Sequence, residues 1–243
     1  MQIGAVLPHD EIGTDPGAIR AYLEGLEDQG ITHLLVYDHV LGADPDRPGG
    51  WSGVYDKDVA FHEPLTFLAF AAAVTTSMEL VSAVLILPQR QAVLVAKQAA
   101  EVQILSGGRL RLGVGVGWNE VEYVGLNEDF STRGRRQAEQ VELMKALWED
   151  PSLQFDGEFH TVERAGLNPL PGTPPPVWFG GGAPALLERC ARLGDGWIPL
   201  GKPDEKAAAR LDTIRSHREA AGLDMAGFSV VAQAQYRGGD PER

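Results

Sequence analysis

Pairs of polar residues stand at the predicted ends of several strands, where side chains can carry acid–base chemistry. They are His9-Asp10, Asp38-His39, His62-Glu63 and Gln89-Arg90. A histidine changes its charge near neutral pH, so each of these imidazoles can serve as an acid, a base or a charge partner. A hydrogen-bonded structural role explains any single one of them equally well. Because side chains alternate along a strand, only one of Asp38 and His39 can point to a given side.

A glycine-rich strand within residues 106–119 indicates a place of close approach. Its apolar positions are Leu110, Leu112, Val114 and Val116, and they alternate with Gly113, Gly115 and Gly117. The two-residue period of a strand puts the apolar side chains on one face and leaves the other face bare. Glycine inside a strand usually marks the approach of a ligand or another backbone. A dinucleotide fingerprint is excluded, because Trp118 occupies the third glycine position of G-x-G-x-x-G.

A second glycine cluster, Gly180-Gly-Gly-Ala-Pro184, ends one predicted strand and opens a helix. The free backbone N–H groups of a helix N-terminus attract anions, and glycine lets a phosphate come close. A tight turn with Pro184 in the first helical turn explains the cluster as well. Together with the glycine-rich strand, it predicts a flat, phosphorylated cofactor.

The sequence predicts no metal site. The pairs of histidine and acid invite a metallohydrolase, but the His-x-His spacing expected on a first strand is missing. The only histidines after residue 62 are His160 and His217, in a predicted hairpin and a predicted helix. Cys190 is the only cysteine, which excludes an intrachain disulfide and a thiolate cluster. Its apolar neighbours predict a buried, inert thiol.

Alternating strands and helices must position these residues. Strands are predicted at residues 3–7, 33–37, 80–87, 174–179, 196–200 and 228–235, besides the glycine-rich one. Helices are predicted at residues 15–30, 64–76, 92–105, 136–148, 185–193 and 204–221, and a hairpin at 153–162 turns at Asp156-Gly157. Nearly continuous apolar strands spaced by helices are typical of a parallel sheet covered on both faces.

Seven such strands in 243 residues predict a single α/β domain, 1–243, with the TIM (β/α)₈-barrel fold. Only residues 236–243 follow the seventh predicted strand, so the last helix, strand and helix are expected to be missing from this chain. Two long connections, 40–61 and 118–135, leave carboxyl ends of strands, where barrel enzymes build their sites. Trp51 and Tyr55 in the first connection favour a lid over a plain surface loop.

Composition limits the partners. The net charge of −13 argues against nucleic-acid binding, since such binding needs a clustered basic surface. No segment approaches the roughly 20 apolar residues of a membrane span, and the N-terminus lacks the features of a signal peptide. A cytoplasmic protein without membrane or nucleic-acid partners is expected.

An ordered set of motifs resembles the luciferase-like flavin and deazaflavin oxidoreductases. The motifs are Tyr37-Asp38-His39, Glu63-Pro64, Val84-Leu-Ile-Leu-Pro-Gln-Arg90, Ser106-Gly-Gly-Arg-Leu, Gly113-Val-Gly-Val-Gly-Trp-Asn-Glu120, Trp178-Phe-Gly-Gly-Gly182 and Gly194-Asp-Gly-Trp197. Each motif is weak alone, but their order over residues 3–200 is specific. The chain is most similar to the actinobacterial subgroups assigned to coenzyme F420, an 8-hydroxy-5-deazaflavin.

The resemblance implies a cofactor, F420 or alternatively FMN, and residues to hold it. His39 would be the acid, base or charge-stabilising residue beside the reactive C5 of the ring. Asp38 would help to fix the ring. A bulge at Ala83-Val84, with a non-prolyl cis peptide bond, would lie behind the ring. Residues implied beside the ring are Gly115, Val116 and Gly117, and those implied at the phosphate are Gly180, Gly181, Gly182 and Ala183. Arg133, Arg135 and Arg136 could meet the anionic tail of F420, or form a solvated helix end.

The predicted function is hydride transfer between the deazaflavin C5 and a small organic substrate. An FMNH₂-dependent monooxygenase in the same fold and a non-catalytic flavin-binding protein are the alternatives. Some deazaflavin dehydrogenases have a glutamate where this chain has Trp118, so a reaction on a sugar phosphate is not favoured. Trp118 is either an apolar wall for substrate or an ordinary packing residue. The resemblance also implies a homodimer, with residues 69–74 as a candidate surface.

Overall fold

The computed structural model describes residues 2–234. It groups the chain into two compact units, of which one ends at Val177 and the other begins at Trp178. The strands are β1 (Gly4–Val6), β2 (His33–Val36), β3 (Glu79–Ser82), β4 (Leu85–Ile86), β5 (Leu110–Gly115), β6 (Leu153–Asp156), β7 (Thr161–Ala165), β8 (Val177–Gly180), β9 (Gly196–Ile198) and β10 (Ser229–Val230). The single domain over 1–243 stays a prediction.

Eight α-helices alternate with these strands in the described part of the chain. They are α1 (His9–Ile12), α2 (Pro16–Asp28), α3 (Pro64–Val74), α4 (Ala92–Leu105), α5 (Glu120–Gly125), α6 (Arg133–Glu149), α7 (Pro184–Leu193) and α8 (Glu205–Ala220). Short 3₁₀ helices lie at Leu87–Gln89 and Phe130–Thr132. Within the described residues, no helix has the length and apolar character needed to cross a membrane.

The first unit is built on a parallel sheet in the order β1-β2-β3-β5. The short β4 also pairs with β5 in parallel, so that Leu85 lies opposite Val114 and Ile86 opposite Gly115. Because the strands are parallel, their carboxyl ends share one edge of the sheet. The segments that follow β2 and β5 therefore leave the sheet on the same side.

Two helices of the first unit begin as their sequences predict. The carboxylate of Asp15 accepts a hydrogen bond of 2.7 Å from the N–H of Ala18, and Pro16 is the first helical residue of α2. Glu63 accepts a bond of 2.7 Å from the N–H of Thr66 at the start of α3. A side-chain acceptor followed by proline satisfies a free N–H and fixes the first helical φ angle.

The apolar face of the glycine-rich strand lies in the core, as predicted. Leu110, Leu112 and Val114 are fully buried, together with Leu34 and Leu80 of the neighbouring strands. In the candidate dimer surface, residues 69–74, Ala71 and Ala72 are buried within the chain itself. Core packing therefore accounts for part of that surface.

The structure differs from the predicted elements in three ways: a split strand, two added helices and a shortened strand. The strand predicted at 80–87 is split into β3 and β4 by Ala83 and Val84, and their peptide bond is cis, as the resemblance implied. The helices α1 and α5 were not predicted. The last predicted strand, 228–235, is shorter as β10, and its residue 235 lies outside the described residues.

The second unit contains β9, β10 and all of β8 except Val177 in parallel register, and its helices α7 and α8 pack against each other. Trp178 lies opposite Gly196, and Ser229 lies opposite the same glycine from the other side. The indole N–H of Trp197 donates to the carbonyl oxygen of Gly181 at 2.7 Å. Cys190 is fully buried, and burial raises the pKa of its thiol to about 12. The prediction of an inert cysteine agrees with this environment.

Candidate functional site

His39 and Glu122 form the centre of the candidate site. His39 follows β2 and Glu122 lies in α5, which follows β5, so parallel strands bring them to the same edge. Nδ1 of His39 is 3.1 Å from Oε1 of Glu122. This contact assigns Nδ1 as the nitrogen that faces the carboxylate. Nε2 is then the nitrogen left to exchange a proton with a ligand.

Glu122 is held by three hydrogen bonds besides its contact with His39. Its Oε1 also accepts hydrogen bonds from the N–H groups of Val40 at 2.9 Å and Leu41 at 3.3 Å. Its Oε2 accepts one from Nε2 of Gln89 at 3.1 Å. Its side chain is 1% exposed. Burial alone would raise the pKa of Glu122, but the bonds from His39, Gln89 and the backbone lower it below its ordinary value. The geometry therefore favours a carboxylate that holds the imidazole in one orientation.

Asp38 points to different partners from those of His39. One carboxylate oxygen accepts the N–H of Ile86 at 2.7 Å, and the other is 2.8 Å from Nη2 of Arg90. Arg90 also donates to Glu63 at 3.0 Å. Burial raises the pKa of Asp38, and the charge of Arg90 acts against this rise. Asp38 therefore anchors β4, and its predicted contact with a cofactor ring stays a prediction.

The glycines of β5 lie against side chains of the bulge and β4. A Cβ atom at Gly115 would clash with Cγ2 of Val84, and one at Gly117 would lie 2.8 Å from Cγ2 of Ile86. The prediction of a bare face is corrected at these two positions, because Val84 and Ile86 occupy the space beside the glycines. The close approach concerns another part of the chain, and direct contact of Gly115 or Gly117 with a ring stays a prediction.

Val116 is fixed through its backbone. The hydroxyl of Tyr123 donates to the carbonyl oxygen of Val116 at 2.6 Å. Tyr123 is fully buried, and burial raises the pKa of its phenol. The end of the glycine-rich strand is thus held by α5, the helix that also carries Glu122.

Aromatic side chains surround the imidazole of His39. Its ring centroid lies 4.7 Å from that of Phe61, 5.0 Å from that of Tyr55 and 5.7 Å from that of Trp118. Trp51 stacks on Trp118 at 5.9 Å. A cavity of about 170 Å³ borders His39, Tyr55 and Phe61. Tyr55 and Phe61 of the connection over residues 40–61 thus lie against His39, and a lid formed by this connection stays a prediction.

His9 is part of the same neighbourhood, but its environment indicates a structural role. Its Nε2 faces the N–H of Tyr37 at 3.2 Å, and its Nδ1 faces the N–H of His62 at 3.1 Å. A neutral imidazole can accept one of these bonds, whereas a protonated ring can accept neither. Burial, reinforced by His62, lowers the pKa of His9 to about 4. His9 is therefore neutral at pH 7.

The three arginines considered for an anionic cofactor tail all have partners within the chain. Arg133 lies over the ring of Phe130, with its Cζ 3.7 Å from the ring centroid. Arg135 and Arg136 form ion pairs with Glu158 and Glu128, respectively. These contacts fix the start of α6, and contact with a cofactor tail would compete with them.

The second glycine cluster belongs to the second unit and opens α7. Gly181 has a φ of 125°, which favours glycine. A Cβ atom at Gly182 would clash with the guanidinium of Arg210. Among residues 2–234, no side chain caps the start of α7. Free N–H groups and a nearby arginine fit an anionic group, but phosphate binding by Gly180, Gly181, Gly182 and Ala183 stays a prediction.

Solved structures share this fold. An F420-dependent secondary alcohol dehydrogenase, solved with an F420–acetone adduct, matches with a TM-score of 0.78 and 21% identity. The match covers 95% of this chain and 68% of that one. The predicted TIM (β/α)₈-barrel fold class is confirmed by this similarity. Over residues 1–241, the chain matches the luciferase-like monooxygenase family, and it belongs to that family.

Three curated relatives show the range of the family. An uncharacterised protein of Mycobacterium tuberculosis is 36% identical over 67% of this chain and 56% of its own length. An F420-dependent glucose-6-phosphate dehydrogenase of Kineococcus radiotolerans is 30% identical over 85% of this chain and 60% of its own. An FMNH₂-dependent dimethylsulfone monooxygenase of Pseudomonas fluorescens is 28% identical over 64% and 43%, respectively. The chain thus spans about half the length of these relatives.

The predicted family is confirmed, and the structure adds Glu122 to the predicted site. Glu122 was missed because the connection at 118–135 was interpreted without a helix. A local signal was available: Asn119 caps α5 by accepting the N–H of Val121 at 3.1 Å, and Glu120 and Glu122 lie in the first turn. An Asx cap followed by acidic residues is typical of a helix start.

Proposed function

We propose that this chain is an F420-dependent oxidoreductase that transfers a hydride between the deazaflavin and a small organic substrate. The observation that carries the proposal is the imidazole of His39, held through Nδ1 by the buried Glu122. The similarity to F420-dependent glucose-6-phosphate dehydrogenases supports the cofactor. When bound, the deazaflavin would supply the hydride-carrying C5.

The residues of the site would have separate roles in the reaction. Glu122 would keep the Nδ1 proton of His39 in place, so that Nε2 gives a proton to the substrate, or takes one from it, as the hydride moves. Asp38, through Ile86 and Arg90, would hold the bulge at Ala83 and Val84 in position beside the ring. The lid over residues 40–61 would exclude water from the reacting atoms.

An FMNH₂-dependent monooxygenase is the second candidate. The FMNH₂-dependent dimethylsulfone monooxygenases among the relatives support it, at 28% and 29% identity. The residues around His39 are compatible with either ring. A non-catalytic flavin-binding protein is the third candidate, and loss of all turnover with intact cofactor binding would favour it.

Parallel titrations of the purified protein with F420 and with FMN test the proposal. We expect F420 to bind more tightly, and we expect the variant His39→Asn to bind F420 with similar affinity but to lose turnover with reduced or oxidised F420. Tight binding of FMN without binding of F420 would overturn the proposed cofactor. Full turnover in His39→Asn would remove the proposed role of the imidazole.

A further inference from the structure

We propose that the substrate is a flat, uncharged, conjugated molecule that stacks on the indole of Trp118 beside His39. This inference rests on the proposed function, because it names the substrate class of the same site. Its basis is the position of the Trp118 indole. Residues of the connection 40–61 pack against it, and part of its surface is exposed.

Trp118 combines a fixed position with an accessible surface. Trp51 stacks on it with an angle of 24° between the ring planes. The backbone of Gly53 also approaches so closely that a Cβ atom there would lie 2.9 Å from Cζ3 of Trp118 and would clash with Trp51. Even so, Trp118 is 45% exposed. An exposed indole that a second indole holds in place offers a ligand a flat apolar surface whose position is already fixed.

The indole also lies at the proposed reacting group. Its ring meets the imidazole of His39 edge-on at 5.7 Å between centroids. Tyr55 and Phe61 contact the same imidazole from other directions. Aromatic rings prefer planar partners at centroid distances of about 4.5–7 Å. A planar substrate on Trp118 would therefore lie within reach of His39, whereas a puckered ring would lose the stacking contact.

The charges in the cavity beside the imidazole of His39 do not favour an anionic substrate. Among the described residues that line the cavity at His39, Lys57 is the one lysine or arginine. Its ammonium group is 3.1 Å from a carboxylate oxygen of Asp58. Asp56 adds a negative charge to the same lining. A phosphate or carboxylate would have to compete with Asp58 for the ammonium group of Lys57, so an uncharged ligand fits better.

A matched pair of probes tests the proposal: 2-naphthol and decahydro-2-naphthol, which share a carbon skeleton but differ in planarity. Binding is measured by titration calorimetry with F420 at saturation and again without it. We expect the protein to prefer 2-naphthol about 2- to 12-fold, the range expected for an aromatic contact. The preference should disappear in Trp118→Leu and persist in Trp118→Phe. Val54→Ala is the control, because Val54 lies in the same lid and is 78% exposed.

Three results would overturn the substrate class: equal affinities for the two probes, no binding of 2-naphthol at all, or an unchanged preference in Trp118→Leu. A stronger affinity for glucose 6-phosphate than for 2-naphthol would also overturn it. Failure of the proposed function has a different signature. In that case neither F420 nor its reduced form binds, whatever the naphthols do.

Discussion

Nδ1 of His39 lies 3.1 Å from Oε1 of Glu122, although 83 residues separate them along the chain. The connection after β2 and the helix after β5 meet at the carboxyl edge of one parallel sheet, and this edge creates the pair. Glu122 also binds the N–H groups of Val40 and Leu41. One buried carboxylate thus orients the imidazole and fixes the start of the connection over residues 40–61.

Replacing Glu122 is expected to change both the stability and the tautomer of His39. Glu122→Ala would remove the acceptor of the buried amide of Gln89 and of the N–H groups of Val40 and Leu41, so we expect a loss of about 2–4 kcal/mol in the free energy of unfolding. Urea denaturation measures this loss. Imidazole ¹⁵N shifts should show less of the Nδ1–H tautomer of neutral His39 in the variant.

Glu122→Gln is the matched variant, since it keeps the size and one acceptor oxygen but removes the charge. We expect it to lose about half as much stability, roughly 1–2 kcal/mol. Unchanged stability and an unchanged tautomer in both variants would contradict the positioning role of Glu122.

The packing of Val84 on Gly115 predicts a rescue of one substitution by another. Gly115→Ala would force Cβ against Cγ2 of Val84, a stiff β-branched side chain, and we expect a loss of about 1–3 kcal/mol. The double variant Gly115→Ala with Val84→Ala removes the clashing methyl groups. Thermal unfolding of the two single variants and the double variant should therefore show strong non-additivity, with the double variant more stable than the sum predicts. Additive losses would show that Gly115 does not pack against Val84.

Much of the fold could be predicted because its signals are local. Asp15-Pro16 and Glu63-Pro64 carry a cap and a first-turn proline side by side, and both helices begin there. The break at Ala83-Val84 has no such signal, since the apolar run continues through residues 80–87. It was predicted only from the resemblance to a family.

The candidate site was predictable in part for a related reason. The position of His39 at a strand end follows from the chain order, but its partner Glu122 follows from the pairing of distant strands. Similarly, the period of two correctly placed the glycines of β5 on one face. It could not decide whether a ligand or the side chains of Val84 and Ile86 would fill the space beside them, because both need the same glycines.

The buried His9 predicts a pH dependence of stability. Its pKa is about 4 in the folded chain and about 6.5 when unfolded, so the unfolded chain binds the extra proton first. Stability is therefore expected to fall by about 2–3 kcal/mol as the pH decreases from 6.5 to 4, and to recover as the pH rises. Urea denaturation over this range measures the slope. His9→Gln, which cannot titrate, should lack this part of the slope; an identical slope in both proteins would contradict the neutral, buried state.

The burial of Cys190 predicts a slow reaction of its thiol in the native protein. The thiol is fully buried and its pKa is raised to about 12, so very little thiolate exists at pH 8. We expect a disulfide reagent to modify native Cys190 at least roughly a thousandfold more slowly than the unfolded chain. Since Cys190 is the only cysteine, the absorbance of the coloured thiol that the reagent releases reports the modification of this one site. Ile214→Ala, which truncates the fully buried side chain of α8, should accelerate the reaction, whereas Leu105→Ala at an exposed position of α4 should not. Rapid modification of the native protein would show that the α7 face is not packed as described.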